Sequence, residues 1–229
     1  MNDRYARYGA MTGIFAVIAF IIAFLIQPKP PAPNASPSEV LNYFVDHRDA
    51  VHVGELLISV ATFFFLWFIG TLRSTLAAAE GGEGRLAGTA YGAGLVGVAT
   101  LFVGFGLQAA AAFHPADNGP DLTRALIDAS AMVFALGAPA ITVFFVANGL
   151  VIIRTGYLAA WLGWLAIVTA VFNALGVGNV FSDHGVFASN GFLGFFAGLL
   201  LFLVWILLAS IMLVRKLEGG GAAPAPANQ

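Results

Sequence analysis

The sequence predicts an all-α membrane protein: a polytopic helical bundle with six transmembrane helices and one short amphipathic interfacial helix. Three observations predict it. Hydrophobic residues make up 59% of the 229 and charged residues 10%, with a mean hydropathy of +0.88. No single water-soluble core of this size hides that much apolar surface. The apolar residues gather into six runs, each long enough to cross a bilayer, and almost every charge falls between the runs.

The first run, 8–27, has the length of a crossing helix rather than the shorter core of a secretory signal, so an uncleaved first span is expected. Pro28 stops it and opens a Pro-rich extended linker, 28–33. Ser36-Pro37-Ser38-Glu39 then reads as a helix start, with Ser36 as N-cap, Pro37 at the first helical position and Glu39 closing a capping box. Val40, Leu41, Phe44 and Val45 recur at helical spacing opposite Glu39, Asn42, Asp46 and Asp49, which makes this the interfacial helix. Span 2 covers 51–72 and is followed by a polar, Gly-containing loop, 73–85. In span 3, 88–113, Gly88 and Gly92 form a small-xxx-small pattern that permits close helix approach. Asn118-Gly119-Pro120 marks a turn-rich loop at 114–121. Span 4, 124–153, carries Pro139 near its centre, so tilt and a kink are expected. Span 5 covers 158–180 and span 6 covers 187–214; residues 1–218 form one six-helix domain and 219–229 a disordered cytoplasmic tail. Spans 1–3 and 4–6 do not align as an internal duplication.

Lys and Arg counts set the orientation. Arg4, Arg7, Arg73, Arg85, Arg154, Arg215 and Lys216 lie at one set of ends, against Lys29, Arg48 and Arg124 at the other. The richer set faces the cytoplasm, which puts both termini inside a plasma (inner) membrane. Tyr5, Tyr8, Trp67, Tyr91, Tyr157 and Trp161 fall near the same boundary, where amphipathic rings prefer headgroups.

The segments 66–74 (LWFIGTLRS), 77–87 (AAAEGGEGRLA), 154–165 (RTGYLAAWLGWL) and 36–49 (SPSEVLNYFVDHRD) together resemble an uncharacterised family of bacterial six-span integral membrane proteins, a domain of unknown function. The likeness covers most of the chain in span order and implies a fold but no activity and no catalytic residues. Where the family carries Pro-Arg before Trp-Leu-Gly-Trp, this chain has Ala159 and Ala160, which removes an inner-side charge and a helix-start proline.

Composition excludes several chemistries. A net charge of -2 with no basic stripe leaves nothing to neutralise nucleic-acid phosphates. Without cysteine there is no disulfide, thiolate metal site or cysteine nucleophile, and redox work would need a bound cofactor, of which the sequence names none. No Walker sequence, Gly-x-Ser-x-Gly or His-Glu-x-x-His is present.

What chemistry remains gathers on the outer side. His47, His52, His114 and His184 all fall there. Glu55 lies about one turn inside span 2 and Asp128 about one turn inside span 4, where a lipid-facing carboxylate costs a few kcal/mol, so both should turn toward the bundle interior. Gln108, Asn173, Asn179 and Asn190 share the outer half, with Asn148 as the exception. The expected site is therefore an outward-facing polar pocket of His52, Glu55, Gln108, Asp128, Asn173 and His184, with Glu55 as its titrating group. His52 and Glu55, three apart, share a helix face. The plain alternative makes them interfacial residues bonded to loops and water. Three functional readings follow: an accessory or regulatory subunit that meets another membrane protein or a second copy through its helix faces; a small-solute or proton-coupled carrier using Glu55 with Asp128 as relay; and a metal-dependent hydrolase at His52, Glu55, Asp128 and His184.

Overall fold

A computed structural model of the chain describes residues 3–181, 184–188 and 191–219. Asn190 and the tail beyond 219 lie outside them. Six helices are long and apolar enough to cross a membrane, and among the described residues every regular element is helical. They are α1 (Asp3–Ile26), α2 (Pro37–Glu80), α3 (Arg85–Phe113), α4 (Pro115–Thr155), α5 (Ala160–Leu175) and α6 (Ala197–Gly219). Successive helices are neighbours, α6 closes back onto α1, and α2 also meets α4 through the middle.

Start and stop signals act where the residues place them. The Ser36 hydroxyl accepts the Glu39 amide proton at 3.3 Å, and the Glu39 carboxylate accepts the Ser36 amide proton at 2.7 Å. The amphipathic helix expected before span 2 is present and leads into it: the two are joined within α2 across a kink at His47, whose backbone is non-helical (φ -119°, ψ 18°). The expected loop at 114–121, by contrast, is mostly helical. Pro115 suits the first helical position and Asp117 the first turn, so α4 begins there; Gly119, at φ 71°, bends the helix instead of ending it. Pro139 sits inside α4 with no non-helical residue beside it.

α2 ends at Gly81, and the Glu80 carboxylate accepts amide protons from Leu86 and Ala87, both at 3.0 Å, which caps the start of α3. Those bonds hold its carboxyl below the usual range. At the same end of the bundle Arg73 lies over the Tyr91 ring, Lys216 over Tyr157, and Arg7 faces Glu218 at 3.7 Å. These contacts gather the ends that hold most of the Lys and Arg.

Helix packing relies on small residues, though not on the pair the pattern suggested. A side chain at Gly88 or Gly92 meets open space, whereas one at Gly94, Gly97 or Gly104 runs into Phe144, Ile141 or Phe134 of α4. Between α4 and α5, Gly149 and Gly163 set backbone against backbone: a Cβ on either lies within 2.9 Å of the other's carbonyl oxygen. The centre is aromatic. Phe65, Phe144, Phe145 and Trp205 are fully buried, and Trp205 Nε1 donates to the Leu162 carbonyl at 2.9 Å, tying α6 to α5.

One stretch departs from regular helix. After Leu175 the chain tightens into 3-10 turns at Gly176–Phe181 and Gly185–Phe187, and it enters α6 through a wide π-helical turn at Phe192–Phe196. Gly191 and Gly194 permit this because any side chain there overlaps the carbonyls of residues 185–188.

Candidate functional site

Glu55 is buried, as the cost of placing an acid in lipid requires. Neither of its carboxylate oxygens has a hydrogen-bond partner among the described residues. It opens onto a cavity of about 80 Å³ between α2 and α3, walled by Ile58, Thr62, Leu101, Phe105 and Ala109. Beside it, the Gln27 side chain lies across Gly54, in space that any Cβ at position 54 would take. The Gln27 amide nitrogen is also buried and makes no well-formed hydrogen bond among the described residues, though it stands close enough to the Glu55 carboxyl to interact with it. A carboxyl and an amide are thus buried side by side, at the end of α1 and the start of span 2, with hydrogen-bonding capacity to spare.

The linker between α1 and α2 covers this corner. Tyr43 Oη donates to the Pro28 carbonyl at 2.8 Å. From α4, the Arg124 guanidinium donates to the Ala35 and Pro33 carbonyls, each at 2.5 Å. Arg124 Nε meets both oxygens of Asp128 at 2.9 Å.

Asp128 is therefore the counterion of a linker clamp. It is more than half exposed and lines neither cavity. Gln108 donates to Ser130 Oγ at 3.1 Å, and Ser130 in turn donates to the Gly104 carbonyl, joining α3 to α4. The His52 ring stands edge-on to Phe113. His184 is exposed at the start of a 3-10 turn. Asn173 lines a second and larger pocket, near 130 Å³, together with Asn179 and residues of α1, α3, α4 and α6. Asn148 donates to its own helix at the Phe144 carbonyl.

Among the described residues no three His, Asp or Glu side chains come together in a group able to hold a metal ion, so His52, Glu55, Asp128 and His184 are not assembled as one. Comparison with family models, curated proteins and solved structures finds no match. The chemistry is carried by the residues themselves.

Sequence reasoning finds Glu55 but misses Gln27, Gly54 and Arg124. Gln27 is a polar residue closing an apolar span, and a glycine adjoins the buried acid; those two signals are visible in the sequence. Arg124 stands four residues before Asp128, the spacing of a helical ion pair.

Proposed function

We propose that this is a multi-pass membrane protein that binds a small solute in step with a proton exchanged at Glu55, and that it performs no covalent chemistry of its own. The observation behind this reading is the buried Glu55 carboxyl, which has no counter-charge and no well-formed hydrogen bond among the described residues and faces a cavity between α2 and α3 beside the Gln27 amide. An ionised carboxylate there has only the Gln27 amide to face it and no counter-charge, and taking up a proton removes the charge. The Lys and Arg distribution supports an orientation in which this corner faces outward and both termini lie in the cytoplasm. Membership of the six-span family rests on the motifs that resemble it.

The test uses the full chain in liposomes and nanodiscs. A protonated-carboxyl infrared band that responds to pH and disappears in Glu55→Gln is expected, with protein-dependent proton flux lost in the same variant. A band insensitive to pH, or equal flux in both proteins, refutes the reading.

A second reading, an accessory or regulatory subunit, draws on α3. Gly88 and Gly92 form a close-approach face that no described residue occupies, which suits a second copy or another membrane protein. Crosslinks confined to that face in native membranes support it, and a monomer at all protein-to-lipid ratios, without a copurifying partner, argues against it.

A further inference from the structure

The larger pocket lies where the helices break. Gly176 and Asn179 from the 3-10 turn and Leu193 to Phe195 from the π-helical turn form one wall. Irregular backbone at membrane depth persists where protein buries it or where it borders a cavity, and broken spans are where membrane proteins commonly place a ligand. This pocket is separate from the Glu55 cavity, although Leu101 and Phe105 border both.

Its chemistry is narrow. Phe24, Phe105, Phe134, Phe195 and Phe202 supply aromatic surface, and no acid, base or histidine lines it among the described residues. A charged occupant would find no counterion there. The polar groups present are biased toward accepting. Thr100 spends its proton on the Val96 carbonyl, and the Asn173 amide nitrogen donates to the carbonyls of Thr169 and Gly198. The Asn179 side-chain oxygen is buried with no hydrogen-bond partner among the described residues, so an acceptor waits for a donor. Size limits the rest. At about 130 Å³ the space is close to the roughly 150 Å³ of an apolar protein cavity that takes up benzene.

We propose that this pocket binds one single-ring, uncharged molecule of the phenol class, its ring among the phenylalanines and its O–H donated to the Asn179 side-chain oxygen. The inference does not depend on proton exchange at Glu55 and survives the failure of that reading.

The probes are 4-fluorophenol and 4-fluorotoluene, followed by fluorine NMR with the full chain in nanodiscs and with empty nanodiscs as the lipid control. Saturable 4-fluorophenol binding is expected, at least about tenfold tighter than 4-fluorotoluene, as a buried acceptor left unpaired demands. Asn179→Leu should bring the two probes to within about twofold by removing that acceptor. Ala138→Leu, which fills the pocket from α4 and leaves the irregular segment alone, should weaken both; it keeps the test decisive if the first variant fails to fold. No saturable 4-fluorophenol signal above empty nanodiscs overturns the proposal. So does an equal preference for the two probes in the unaltered protein, or unchanged binding in Ala138→Leu.

Discussion

Arg124→Ala should free the 28–36 linker, whereas Asp128→Asn should barely loosen it. Arg124 makes two hydrogen bonds to linker carbonyls that are themselves half-buried, at Pro33 and Ala35. At about 1.5 kcal/mol net for each bond from a charged donor, the loss is about 3 kcal/mol, or roughly a 150-fold rise in the open population of the linker. The Arg124–Asp128 pair is different. Its carboxylate is 57% exposed, so water and salt screen it, and the pair contributes about 0.5 kcal/mol, roughly a twofold change. Hydrogen exchange followed by mass spectrometry reads the amides of Ala32, Asn34, Ala35 and Ser36 directly. Equal acceleration in both variants, or none in Arg124→Ala, refutes the clamp. The same pair of variants separates Asp128 from proton exchange. If Asp128 serves only the clamp, Asp128→Asn leaves the Glu55 infrared band where it was.

Three further outcomes follow from the packing and the caps. Gly104→Ala and Gly97→Ala should each lower stability by about 1–3 kcal/mol in detergent unfolding, because the added methyl meets Phe134 or Ile141, while Gly92→Ala, which meets open space, should be neutral or gain about 0.5–1 kcal/mol; equal effects at all three positions would disprove the close approach of α3 to α4. Trp205→Ala should cost about 3–5 kcal/mol and Trp205→Phe distinctly less, since phenylalanine keeps a ring against Phe144 and Phe145 and loses the bond to Leu162, measured by the same unfolding. The Glu80 cap should be fully present above the ordinary carboxylate value of 4.5 and fade as pH falls through its lowered folded value, the sign expected of a depressed acid. Exchange at the Leu86 and Ala87 amides, corrected for intrinsic rate, should therefore rise only in strong acid, and Glu80→Gln should remove that pH dependence.

The spans are legible because lipid imposes length and apolarity on any helix that crosses it, and Ser36 to Glu39 is legible because a capping box is local. What escapes is whatever depends on distant chain. Asn118-Gly119-Pro120 reads as a loop in the sequence, yet the chain is helical on both sides of a kink at Gly119, and the kink at His47 gives no local sign of itself. Gly88 and Gly92 match a packing pattern, but only the assembled bundle decides which glycines face a neighbour, and it selects Gly94, Gly97 and Gly104. The cost of a lipid-facing charge points to Glu55 correctly. It misjudges Asp128, because Arg124 one turn earlier lets that carboxylate stay at the watery rim. Gln27 shows in the sequence only as a polar residue closing a span; its place beside Glu55 emerges when the end of α1 is laid against Gly54.

The clamp has a mechanical consequence. By bolting the α1–α2 connection to α4, Arg124 turns the near corners of three helices into one stiff block. The same helices border the irregular segment: α4 packs on the Gly176–Phe181 turn, and Phe24 of α1 meets Phe195 of the π-helical turn. The phenylalanine-walled pocket is thus framed in part by the braced block, and its shape is tied to how firmly the linker is seated.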